Sequence, residues 1–169
     1  MNEAIERGLV PTILQSEYKR NISRQDFCLL AVHFLSVHTG RSLESILSER
    51  GFDTKDNPFT DVKDVFITAG YRLDIVSGRG EGLFAPNDPI TRQEAAVMLR
   101  NTAKVLGADR AISTSGFADQ DKIAAWAKDA VDFVFSAEIM GGVGNRQFDP
   151  EGTYTRQQAI MTILRLSNM

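Results

Sequence analysis

Ile90-Thr91-Arg92-Gln93-Glu94 decides how the chain is read, because its pattern stands also at Ile22-Ser23-Arg24-Gln25-Asp26 and Tyr154-Thr155-Arg156-Gln157-Gln158. Each copy runs apolar residue, hydroxyl residue, Arg-Gln, then a hydrogen-bond acceptor, and each opens an amphipathic run. That order is a helix start. Ser23, Thr91 and Thr155 are N-caps whose hydroxyls accept from a first-turn backbone N–H, while Asp26, Glu94 and Gln158 at the third helical position can reach back to the cap's own N–H. The residue before each cap, Ile22, Ile90 or Tyr154, is placed to pack on Phe27, Ala95 or Ala159 as a hydrophobic staple.

Capping does not explain the arginine. A cation in the first turn lies beside the positive end of the helix dipole, at a cost of about 0.3–1 kcal/mol when exposed. Free N–H groups with a guanidinium beside them suit a carboxylate or phosphate, which the planar fork can hold bidentately. Arg24, Arg92 and Arg156 are therefore candidate ligand-binding residues. In the alternative, each pairs with an Asp or Glu of a neighbouring repeat and ties the repeats together; the pattern leaves both open.

From Arg24 to Arg92 is 68 positions (92 − 24) and from Arg92 to Arg156 is 64 (156 − 92), a period that indicates supersecondary units. Apolar residues recur at i, i+3, i+4 and i+7 after each arginine, as in Phe27, Leu30, Ala31 and Phe34, so each copy predicts a helix with one buried stripe. Gly40 and Gly107 end the first two of these helices. Upstream of the second and third caps, Ile75 to Pro86 lies over Ile139 to Pro150. The shared glycines of these segments, with Gly78, Gly80, Gly142 and Gly144 as candidate ligand-binding positions, imply positive-φ turns first and close approach of a sugar second. Phe84 and Phe148 are expected to plug these loops into the core.

Before the loops the periodicity predicts helices over 122–135 and 62–71, and in the first copy over 4–9. Trp126, Ala130, Phe133 and Val134 can share one face of the first of these, with Trp126 read as core before sugar platform, though an edge of it could line a groove. A small helix is predicted over 43–49. The expected layout is a divergent first repeat at 1–40, a connector at 41–58, a second repeat at 59–107, a linker at 108–116 and a third repeat at 117–169. The fold class is mainly α: three helix–loop–helix repeats in a pseudo-threefold bundle around one core.

Composition narrows the function. The 169 residues are 43% hydrophobic and carry a net charge of −3, so there is no broad basic field for nucleic acid. Any anion must be met locally. Cys28 is the only cysteine and lies in an apolar helical run, which points to a small core residue and excludes an intrachain disulfide. His33 and His38 are five apart and diverge on a helix, and Asp119-x-Asp121 lacks the remainder of a calcium loop, so no metal is expected. No nucleophile elbow, Ser-His-Asp set or phosphate-binding loop is present, so neither an enzyme nor a cofactor is expected. No 18-residue apolar span occurs, and the first residues do not form a signal peptide; an exported parent would make this chain a piece of a longer protein.

Phe59-x-Asp61, a helix, Ile75-Val76-Ser77-Gly78, Phe84-x-Pro86 and Ile90-Thr91-Arg92-Gln93-Glu94 together resemble the S-layer homology repeat, whose signature includes a Thr-Arg-Ala-Glu-type sequence. Phe117-x-Asp119, Trp126-Ala127, Gly142, Phe148-x-Pro150 and Thr155-Arg156 are similar. The first copy resembles it through Ser23-Arg24-Gln25-Asp26 and the helix that follows. Asp26 and Gln158 stand where the signature has Glu, and Gln follows every Arg where it has Ala. The resemblance implies a non-catalytic module that anchors an exported protein to the bacterial cell wall. It further implies binding of secondary cell-wall polysaccharide, commonly bearing a pyruvate ketal, in grooves between repeats. The motif arginines would then contact the acidic sugar, and S-layer or parent-protein domains would be possible partners, without nucleic acid or membrane insertion.

Overall fold

Each motif builds the helix it predicts. The computed structural model describes residues 1–108 and 113–169, and in it α2 spans Arg24–Thr39, α5 Arg92–Val105 and α7 Arg156–Leu166. The Ser23 hydroxyl accepts from the Asp26 N–H at 3.1 Å, and the Thr91 and Thr155 hydroxyls accept from Glu94 and Gln158 at 3.3 Å. Glu94 and Gln158 close their capping boxes by accepting from the Thr91 and Thr155 N–H at 2.9 and 2.8 Å. Asp26 does not reach back. It is one methylene shorter, and its Oδ2 accepts from Arg156 Nη2 at 3.1 Å instead. Gly40 and Gly107, at φ +65° and +71°, follow the ends of α2 and α5, as a left-handed C-terminal turn requires.

The remaining elements are α1 (Asn2–Glu6), a 3₁₀ turn at Thr12–Leu14, α3 (Leu43–Ser48), α4 (Val65–Arg72) and α6 (Lys128–Ser136). α1 stops before Gly8, whose φ is +68°, and so is shorter than the expected 4–9. α4 begins three residues later than expected because the Asp64 carboxylate caps it, accepting from Phe66 and Ile67 N–H at 2.8 and 3.1 Å. α6 begins six residues later than its periodicity predicts. The Ala124 N–H donates to Gln93 Oε1 on α5 at 3.0 Å, and the chain makes a separate turn there, with the Ala127 N–H donating to the Ala124 carbonyl at 2.8 Å, before the helical ladder starts at Lys128. Trp126 consequently leaves the apolar face and stands 61% exposed, a correction to its reading as core.

The three long helices α2, α5 and α7 touch pairwise, and each shorter helix covers the long helix of the preceding repeat: α4 lies on α2, α6 on α5, and α1 on α7. The capping segments interlock around the same axis through short antiparallel bridges, Ser23 with Pro89, Thr91 with Thr153, and Asn21 with Thr155. This is the pseudo-threefold helical bundle that the repeats predict. One apolar cluster runs through it, with Phe27, Phe34, Phe84, Phe133 and Phe148 wholly buried. Each such ring contributes about 1.5–3 kcal/mol by leaving water. Cys28 belongs to this core, where burial pushes its thiol up and away from the reactive thiolate. Of the predicted linker at 108–116, residues 109–112 lie outside the described residues. Among the described residues no helix is long and apolar enough to cross a membrane.

Candidate functional site

The first two N–H groups of each long helix are already bonded. Arg24 and Gln25 donate to the Asp88 and Pro86 carbonyls at 2.9 and 3.1 Å, Arg92 and Gln93 to Gly152 and Pro150 at 2.9 and 3.0 Å, and Arg156 and Gln157 to Arg20 and Tyr18, both at 2.9 Å. The third is held by the cap hydroxyl. The expectation of free N–H groups awaiting an anion is thereby overturned, because the loop of the adjoining repeat supplies the acceptors that a lone helix lacks.

The guanidinium groups turn inward along the same seam. Arg24 donates from Nε to the Phe84 carbonyl and from Nη2 to that of Ser77, both at 3.0 Å, and Nη1 meets Glu94 Oε1 at 2.8 Å. Arg92 repeats the first two contacts with Phe148 and Gly141 at 2.7 Å. Arg156 donates from Nη1 to the Ser16 carbonyl at 2.9 Å and from Nη2 to Asp26. All three are buried, at 4–5% exposure. Arg24 lies 4.8 Å from the Phe84 ring centroid and Arg92 4.8 Å from that of Phe148, so ring faces carry part of the compensation for lost water. Burial lowers both arginines from their ordinary values, and both remain cations. Burial works against the Glu94 carboxylate, but the Thr91 N–H, Arg79 and Arg24 outweigh it and hold the group below its usual range.

Two carboxylates that the sequence did not identify as functional shape the loops. Asp61 accepts from the Phe84 and Ala85 N–H groups at 2.9 and 2.7 Å, and Asp119 from Phe148 and Asp149, both at 2.8 Å. Asp119 thus caps a loop. These bonds hold Ala85 and Asp149 left-handed at φ +58° and so fix the carbonyls that receive Arg24 and Arg92. The matched Phe-x-Asp pairs were the available signal. Burial opposes ionisation of Asp119, yet the amides of Phe148 and Asp149 prevail and its folded value lies below the unfolded one. A lowered carboxylate stabilises the fold above its unfolded value, about 4, and that contribution is lost as pH falls through the folded value. Asp119→Asn should therefore lower the urea midpoint at pH 7 and narrow the difference between pH 7 and pH 3; an unchanged difference would contradict the assignment.

The four candidate glycines divide into two pairs. A Cβ on Gly78 would lie 2.8 Å from the Leu83 carbonyl oxygen and 2.9 Å from Phe59, and one on Gly142 would lie 2.6 Å from the Gln147 carbonyl oxygen, so the close approach they permit is the protein's own. Gly80 and Gly144, at φ +97° and +116°, form exposed loop tips outside the lining of the three grooves described next.

Those grooves lie along the seams, and each is edged by one motif arginine. Arg24 edges a cavity of about 430 Å3 with Ser77, Gly78, Glu94, Asn101 and the exposed Trp126. Arg92 edges one of about 480 Å3 with Gly141, Gly142, Tyr154, Gln158 and Arg165. Arg156 edges one of about 630 Å3 with Glu17, Arg20, Asp26 and Asn87. The structure thus brings Gly78 to Arg24 and Gly142 to Arg92, and leaves Gly80 and Gly144 apart.

The family model described as the S-layer homology domain matches residues 58–96 and 116–160. The chain belongs to the S-layer homology family. Each matched span runs from the Phe-x-Asp segment through the capped arginine, so the S-layer homology signature covers the loop carboxylate, the glycines and the helix start that build a seam. An endoglucanase of Bacillus sp. is 33% identical over 118 residues, 67% of this chain and 12% of the relative. An amylopullulanase of Thermoanaerobacterium thermosulfurigenes is 27% identical over 95% of this chain and 8% of its own length, an alignment that takes in the divergent first repeat. A cellulosome-anchoring protein of Acetivibrio thermocellus is 34% identical over 62% of this chain and 23% of itself. The S-layer homology chain therefore spans less than a quarter of each of these relatives.

Proposed function

We propose that this chain is a non-catalytic cell-surface anchoring module that holds acidic secondary cell-wall polysaccharide in the grooves between its repeats. The S-layer homology family and a relative named for anchoring support the anchoring role. The observation that carries the glycan reading is the recurrence of one groove design at three seams, each with a buried arginine at its edge. A cavity of this size takes one or two sugar rings, and an arginine fixed by carbonyls needs no reordering to meet a carboxylate. The module would serve an exported parent at the bacterial cell wall, and the pyruvate ketal is the acidic group proposed for the glycan.

A second reading, a protein-interaction or self-assembly module, draws on the Arg24–Glu94 and Arg156–Asp26 ion pairs, which give two arginines a purely internal duty. Sedimentation with cell-wall sacculi separates the two. Anchoring predicts that the chain pellets with intact sacculi and stays in solution after mild acid has removed the ketals. Equal pelleting with both preparations would reject the acidic-glycan reading.

A further inference from the structure

Two of the five prolines follow an aspartate, at Asp88-Pro89 and Asp149-Pro150. Such a bond is open to attack by the aspartate's own carboxyl, which reaches its main-chain carbonyl through a five-membered ring, while the prolyl nitrogen is an unusually basic leaving group. The fold treats the two bonds differently. Asp88 comes last in the turn at 85–88, where its N–H donates to the Ala85 carbonyl at 3.3 Å, and its carboxylate is ion-paired with Arg79. An ionised group held by a guanidinium has no proton to hand to a leaving nitrogen. Asp149 comes first in the matched turn at 149–152, and there the Gly152 N–H donates to the Asp149 carbonyl at 3.0 Å, which polarises the carbon to be attacked. The Asp149 carboxyl lies over Gly152, where a Cβ would stand 2.1 Å from Oδ2 and 3.1 Å from the Asp149 main-chain oxygen, so the missing side chain leaves room for it beside its own peptide group. Among the described residues it accepts no hydrogen bond and forms no ion pair. The charged groups around it are Arg92 on α5, on which its charge acts, Asp119, whose Oδ2 accepts from the Asp149 N–H at 2.8 Å, and Glu151, which is bonded to Gln93. Asp149 is exposed, which admits water, and left-handed at φ +58°, a strained conformation that the matched Ala85 shares.

We infer that Asp149 is a self-cleavage site, whose carboxyl severs the bond to Pro150 in acidic surroundings. One carboxyl oxygen bonds to the Asp149 carbonyl carbon, the bond from that carbon to nitrogen breaks, and the carboxyl proton passes to the Pro150 nitrogen. Water then opens the cyclic anhydride left on Asp149 and restores its side chain, giving one new C-terminus at Asp149 and one new N-terminus at Pro150. This is a single turnover on the chain's own backbone, and it stands apart from the anchoring and glycan readings. The severed piece, 150–169, carries α7 and Arg156. It stays docked through contacts such as those of the Gln93 and Arg92 N–H groups with the Pro150 and Gly152 carbonyls, at 3.0 and 2.9 Å. Cleavage thus converts a continuous module into two pieces held only by packing and hydrogen bonds, which limits how long it can bear a load.

The test is intact-mass spectrometry of the whole chain held at pH 4 and at pH 7, both folded and in urea. Folded wild type at pH 4 should yield the fragments 1–149 and 150–169 about tenfold faster than it is cut at Asp88-Pro89, and faster than at pH 7. In urea, where neither turn persists, the two bonds should be cut at similar rates. Asp149→Ala, which places at 149 the residue found at the matched position 85, should abolish the cut and leave the melting temperature of the uncut chain close to that of wild type. Equal cutting of both bonds in the folded chain, faster cutting at Asp149 in urea than in the fold, persistence of the cut in Asp149→Ala, or no cut at all would overturn the inference.

Discussion

Arg24→Ala should lower the unfolding free energy by about 3 kcal/mol, the low end for breaking a buried ion pair. The substitution strips the Phe84 and Ser77 carbonyls of a charged donor and takes from Glu94 one of its two arginines. The low end applies because Arg79 Nη2 stays 2.8 Å from the same Glu94 oxygen. Arg92→Ala loses the corresponding carbonyl contacts but breaks no ion pair among the described residues, so its cost should be smaller. Urea denaturation of the two variants measures the order directly. Equal costs would mean that Glu94 contributes nothing to the seam.

Phe148→Ala should be at least as damaging, at about 3–5 kcal/mol. The ring is wholly buried, lies 5.3 Å from Phe117 between centroids, and faces the Arg92 guanidinium. Its removal opens a void in the core and unseats the loop whose carbonyl receives Arg92. At roughly 2–4 °C per kcal/mol for a domain of this size, the melting temperature should fall by roughly 6–20 °C. Phe148→Leu, which keeps most of the volume, should cost much less. A small loss in Phe148→Ala would show that the loop is held by Asp119 alone. Thermal unfolding followed by circular dichroism decides it.

Local chemistry was legible in the sequence to the extent that it concerned one helix. Ser23, Thr91 and Thr155 cap as their patterns predict, Gly40 and Gly107 turn the chain at φ > 0, and Phe84 and Phe148 enter the core. What the sequence did not disclose was the seam. The carbonyls that meet Arg24 and Arg92 belong to residues 49–60 positions away, too distant for any periodicity to register. The placement of a cation in the first turn, costly for an isolated helix, is resolved by acceptors from the next repeat. Trp126 was misjudged for a similar reason, since it lies in a turn ahead of α6, where the chain is tied across to Gln93 at Ala124, and not in the helix that would have buried it. Of the two arginine roles left open by the pattern, the tie between repeats is seen as an ion pair at Arg24 and Arg156, and among the described residues Arg92 has none.

The packing of α1 on α7 makes the repeats a closed cycle rather than an open stack. A solenoid can be lengthened by adding units at its end; here the last long helix is already covered by the first short one, so the count is fixed at three. A fourth tandem unit would find no uncovered helix to join and would have to begin a separate triplet. By the same logic, no single repeat carries its own lid, and cutting between any two leaves each piece with one long helix uncovered and one short helix with nothing beneath it.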